Sequence, residues 1–131
     1  MKNTIYLAFI AFILGSCNYT IYDMNKGELK IAKKVSYQVN YVTIVPNNTK
    51  AGITYTDKDN KQHTEQHAGG RWEKTIELPS GTSVKFEVKT KLAKTDPPGN
   101  LVTTIKVDGE TVSEEVQTGK NVTYAFGFKL P

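Results

Sequence analysis

The sequence predicts an all-β fold, an antiparallel immunoglobulin-like β-sandwich of about seven or eight strands over residues 30–131. Three observations carry this expectation. Apolar and polar residues alternate with period two in one segment after another, the spacing that sends successive side chains to opposite faces of a strand. Clusters of Pro, Gly, Asn and Asp interrupt the alternation at short intervals. The five Phe, seven Tyr and one Trp, among many Val, Ile and Thr, suit a pleated, half-buried surface.

From Asn18 to about Leu29 neither strand nor helix period is clean, and this stretch reads as a tether. Fully extended, it reaches at most about 40 Å. Val35, Tyr37, Val39 and Tyr41 then share one face of a strand, and Ser36, Gln38 and Asn40 share the other. Pro46-Asn47-Asn48 predicts a break, after which Ala51, Ile53 and Tyr55 begin a second strand that ends at the turn residues Asp57 to Asn60. Lys61 to His67 is extended but wholly polar, which suits an edge strand or a loop arm.

Beyond Gly69-Gly70, Trp72, Ile76 and Leu78 lie in phase up to the turn at Pro79-Ser80-Gly81. The clearest strand follows, with Val84, Phe86, Val88 and Leu92 alternating with Lys85, Glu87, Lys89 and Lys91. Its register is well specified, because a slip by one residue would bury those charges. Asp96-Pro97-Pro98-Gly99-Asn100 predicts a loop, and Leu101, Thr103, Ile105 and Val107 the next strand. Asp108-Gly109 suits a type I′ hairpin turn, with Val112 and Val116 on the returning strand. Val122, Tyr124, Phe126, Phe128 and Leu130 form the last one.

A chain of 131 residues is enough for one domain with one core. Its formal charge is +4, of which Lys2 would leave with a cleaved leader, and the lysines are dispersed among glutamates. That pattern argues against nucleic acid as a partner.

Residues 1–16 carry their own signal. Lys2 gives a short basic start, Ile5 to Leu14 an apolar run, and Gly15-Ser16 two small residues. This is the layout of a secretory signal peptide, and the run is far shorter than the roughly 20 residues of a bilayer-spanning helix. Leu14-Gly15-Ser16-Cys17 then resembles the lipobox of bacterial lipoproteins, with Gly-Ser in place of the commoner Ala-Gly or Ser-Gly. The resemblance implies that a diacylglycerol thioether forms on Cys17, that the leader is cut off, and that Cys17 becomes the N-terminus. The alternative is an ordinary signal peptide followed by a free thiol. Cys17 is the only cysteine, so no disulfide is expected and the fold rests on its own core. The order expected is therefore a signal peptide over 1–16, the lipidated Cys17 and its tether over 17–29, and the β domain over 30–131. Asn18 stands where the inner-membrane retention signal of some Gram-negative bacteria has Asp, which favours the outer membrane.

Val35 to Leu130, with Ile53-Thr54-Tyr55-Thr56, Trp72 and Ile105-Lys106-Val107-Asp108-Gly109-Glu110-Thr111-Val112, resembles the mycobacterial MmpS-type small membrane proteins. Those are compact β-sandwiches exported on an N-terminal anchor. The resemblance implies an accessory subunit beside a membrane transporter and carries over no catalytic residue.

His63, His67, Arg71 and Trp72 are the candidate binding residues. The two histidines, with Asp57 and Asp59 nearby, have ligand chemistry. On a strand, however, residues four apart are separated by about 13 Å, too far for one ion. No metal or other cofactor is therefore expected. Trp72 offers either a stacking platform for a sugar or peptide or, from its phase with Ile76 and Leu78, a core side chain. No Gly-x-Ser-x-Gly elbow occurs, and most carboxylates fall on solvated faces or turns, so the chain is not expected to be an enzyme. The expected function is a lipid-anchored, noncatalytic module of the envelope that binds a protein partner. The alternative is a surface adhesin or glycan-binding module.

Overall fold

The computed structural model describes residues 19–91 and 99–131. The segment expected to be a leader, Cys17, Asn18, Leu92 and Asp96-Pro97-Pro98 lie outside the described residues.

Alternation becomes strand almost everywhere it occurs. The described residues form seven strands: β1 (Tyr19–Glu28), β2 (Ser36–Thr56), β3 (Gln62–Pro79), β4 (Ser83–Lys91), β5 (Asn100–Val107), β6 (Glu110–Thr118) and β7 (Asn121–Lys129). They make one sheet in the order β1-β7-β4-β2-β5-β6, with β3 paired to β2 beside that path. The sheet curls into a nearly closed, barrel-like form. Thr20 Oγ1 in β1 donates to the Thr118 carbonyl at the end of β6, 2.9 Å away, across the gap between the two outer strands.

Several expectations are corrected here. The segment read as a tether is strand β1, paired in parallel with β7 from Tyr19↔Asn121 to Asn25↔Gly127. The sheet is consequently mixed rather than wholly antiparallel. Only Tyr22 of this strand packs on the core, its ring stacked on Tyr124 at 5.4 Å. One inward side chain in ten residues leaves no period to detect, and the pairing rests mainly on the backbone ladder.

Pro46-Asn47-Asn48 does not end a strand. β2 runs through it with a register irregularity between Val45 and Lys50, opposite Ala68-Gly69-Gly70 of β3. Asn48, Gly69 and Gly70 adopt positive φ there, so both strands of the long hairpin bend together. Before the bend β2 pairs with β5, and after it with β4. The bent hairpin thus joins the two halves of the sheet.

The core lies between these halves. Tyr37, Tyr41, Phe86, Tyr124 and Phe126 are among its largest buried side chains, with Ile53, Leu78, Leu101, Ile105 and Leu130 around them. Val84, Phe86 and Val88 face inward and Lys85, Lys89 and Lys91 outward, as the alternation requires. Asp108 and Gly109 both have positive φ, the geometry of a type I′ turn.

Val35, expected on the face of Tyr37, Val39 and Tyr41, is exposed, and so is Val116 on the returning strand. Val35 precedes β2, and its carbonyl accepts from Ser80 N. On β6 the pairing passes from Lys106↔Thr111 to Ile105↔Ser113, which makes Val112 an extra residue. The inserted residue reverses the faces that follow, so Ser113 and Gln117 turn inward in place of Val116.

Candidate functional site

Among the described residues β3 has no strand neighbour besides β2, so one side of its backbone ladder is open there. The bend at Gly69-Gly70 also changes which of its residues face the core. In the first half His63, Glu65 and His67 stand opposite Tyr55, Ile53 and Ala51, and in the second half Trp72 and Lys74 stand opposite Thr43 and Tyr41. The two halves therefore turn these side chains toward each other at the rim of the core.

Glu65 is the centre of the group. Its Oε1 accepts from Trp72 Nε1 at 2.6 Å, and its Oε2 accepts from Tyr55 OH at 3.4 Å. Lys74 Nζ lies 3.6 Å from the same Oε2, donates to Tyr55 OH at 2.9 Å and sits 5.0 Å from the centre of the Tyr55 ring. The Trp72 indole, with the Lys74 ammonium behind it, holds the Glu65 carboxyl below its ordinary range. The bond to Tyr55 and the Glu65 charge hold Lys74 above its own. A general base works best with a pKa near the operating pH, and a lysine nucleophile has to be deprotonated. Both groups are shifted the other way, toward their charged forms.

The four candidate residues lie in four places. Trp72 is a core side chain, packed against Tyr55 at 5.5 Å and Phe86 at 5.9 Å, so its ring is not open as a stacking platform. His63 lies on the rim, its Nε2 3.5 Å from Glu65 Oε2 and its ring 5.2 Å from that of Tyr55. His67 stands at the bend, where Nε2 is 3.2 Å from the Gly70 carbonyl oxygen. Arg71 points to the outer face, 3.5 Å from Glu73. The structure thus brings His63 and Trp72 together through Glu65 and leaves His67 and Arg71 apart.

Strand β3 runs unbroken between the two histidines, so the extended spacing of about 13 Å applies. Among the described residues no three His, Cys, Asp or Glu side chains gather as ligands. Asp57 is occupied in its own turn, with Oδ1 accepting from Asp59 N at 2.9 Å and Lys61 N at 3.0 Å.

Glu65, Lys74 and Tyr55 were not singled out from the sequence. One signal was present: Lys74 lies in phase between Trp72 and Ile76, a charge on the apolar face of an alternating strand. Glu65 gave none, because its partners come from the far side of a bend that an unaligned alternation pattern does not reveal.

Compared with known proteins, the chain matches no family model, and no curated protein is significantly similar to it.

Proposed function

We propose that this protein is a membrane-anchored bacterial lipoprotein whose noncatalytic β domain binds a protein partner in the cell envelope. The carrying observation is Leu14-Gly15-Ser16-Cys17, a lipobox directly after an apolar run too short to span a bilayer. Two or three acyl chains on Cys17 make attachment lasting, since each buried methylene contributes about 0.8 kcal/mol. Asn18 directs the protein to the outer membrane. Labelled palmitate is expected to enter the wild type and to be absent from Cys17→Ser. Equal labelling of both, or a mature N-terminus other than Cys17, would sink the anchor.

Partner binding is assigned to β3. Its open ladder can accept another chain, and the inward charges at Glu65 and Lys74 discourage indiscriminate edge pairing. His63 and Arg71 supply polar contacts at that edge, while Trp72 shapes it from beneath. A photocrosslinker at Gln62 or Thr64 should capture one envelope protein in whole cells, and one at Lys85 should not. Equal capture from all three positions, or none, would remove β3 as the surface.

The domain is further proposed to be a sandwich of immunoglobulin-like form. Supporting this, the bent β2–β3 hairpin serves β5 and β6 on one side and β4, β7 and β1 on the other. The resemblance to MmpS-type proteins supports a place beside a transporter.

A further inference from the structure

We infer that the corner of the sheet where β1 begins is a seat for the anionic headgroups of the bilayer, with Tyr19 and Ile21 entering the interface and Lys50, Lys89 and Lys91 meeting lipid phosphates. This rests on the lipid anchor at Cys17. A flexible tether of about 40 Å would have let the domain stand clear of the membrane, but β1 is already paired with β7 at Tyr19. Only two peptide units separate that residue from Cys17, at most about 7 Å. The folded body is thereby held against the surface, and the face nearest the anchor has to suit it.

The residues there do. Tyr19 is 66% exposed and Ile21 69%, both on the outer face of an edge strand. The pairing registers extend each of them sideways to a lysine. Tyr19 pairs with Asn121, which pairs with Lys91, and Ile21 pairs with Thr123, which pairs with Lys89. Lys50, next to Ala51 on the adjoining strand, completes a shallow depression that contains Tyr19 and all three lysines and no carboxylate. Lys89 lies 3.4 Å from Glu87, which it shares with Lys85, whereas Lys50 and Lys91 have no acidic partner among the described residues. Acidic turn residues Asp57, Asp59, Asp108 and Glu110 stand at the opposite ends of the strands. Aromatic and aliphatic side chains beside dispersed lysines are the composition that settles at a headgroup layer, and each lysine near an anionic surface favours contact about fivefold.

The test uses the full lipidated protein in vesicles of phosphatidylcholine, with or without phosphatidylglycerol, and brominated acyl chains as quencher. Tryptophan fluorescence of Ile21→Trp, after subtraction of the Trp72 signal, should be quenched, and more strongly with phosphatidylglycerol. Val116→Trp, exposed elsewhere, should not respond. Adding Lys50→Gln and Lys91→Gln should weaken the seating equilibrium about 30-fold while the protein stays on the vesicles. In the unaltered protein, acylation of Lys91 should slow on anionic vesicles and acylation of Lys58 should not. If retained protein shows the same quenching at 21 and 116, or no protection of Lys91, the seat is wrong and the anchor stands. If salt washes the protein off and Cys17 is unmodified, the anchor and the seat both fall.

Discussion

Glu65 shows how a single carboxylate can link folding to pH. The hydrogen bond from Trp72 and the nearby Lys74 lower its pKa below the ordinary 4.5, so the folded protein binds this proton less readily than the unfolded chain. Its stabilisation is fully present above about pH 4.5 and is lost as pH falls through the lower, folded value. Glu65→Gln keeps an acceptor for the indole but not the charge. Its deficit against wild type in denaturant melts is therefore expected to be larger at pH 6 than at pH 3. A deficit constant with pH would show that the charge contributes nothing. Phe86 and Lys85 make a second, sharper contrast. Phe86 is fully buried among the rings of Tyr41, Trp72 and Tyr124, so Phe86→Ala should cost roughly 3–5 kcal/mol. Lys85→Ala, which removes an exposed side chain 3.8 Å from Glu87, should cost under about 0.5 kcal/mol. The opposite order would mean that β4 presents its other face to the core.

What could be read at the scale of elements depended on whether side chains or backbone hold each strand. β4 and β7 were legible because every second residue is apolar and buried, from Val84 to Val88 and from Val122 to Phe128. β1 was not, since its pairing with β7 leaves Tyr19, Ile21 and Met24 in solvent and places only Tyr22 on the core. The inner face of β6 was not legible for a related reason: the bulge at Val112 sits in backbone register, which alternation does not encode. At the rim of β3, the edge character of Gln62 to His67 was readable, but the Glu65 group depends on a bend between distant halves of one strand. Two substitutions test these assignments. Tyr22→Ala should lose about 1–3 kcal/mol through the stack on Tyr124, where a tether residue would lose nothing measurable. Val116→Lys should be neutral within about 0.5 kcal/mol, and a loss of 2 kcal/mol or more would put Val116 back in the core.

For the whole molecule, the boundary of the folded unit is the decisive matter. The sequence placed it near residue 30, whereas the pairing of β1 moves it to Tyr19, two residues beyond Cys17. Without β1, one side of the β7 ladder would be open, and Tyr124, now stacked beneath Tyr22, would lose its cover. β7 is apolar at Val122, Tyr124, Phe126 and Phe128 and has Ala125 and Gly127 on its other face, with no charge before Lys129. An open apolar edge of that kind is a template for association. A chain starting at residue 18 is expected to be monomeric at micromolar concentration and to unfold in one step, since its core contains no cysteine or disulfide. A chain starting at residue 30 should be less stable by roughly 2–4 kcal/mol, the balance of lost ladder bonds and ring burial against the ordering of the strand. It should also self-associate as its concentration rises. Denaturant midpoints and sedimentation of the two chains check this directly. Equal midpoints and equal mass would mean that β1 adds nothing to the fold, and that residues 19–29 act as an unpaired tether after all.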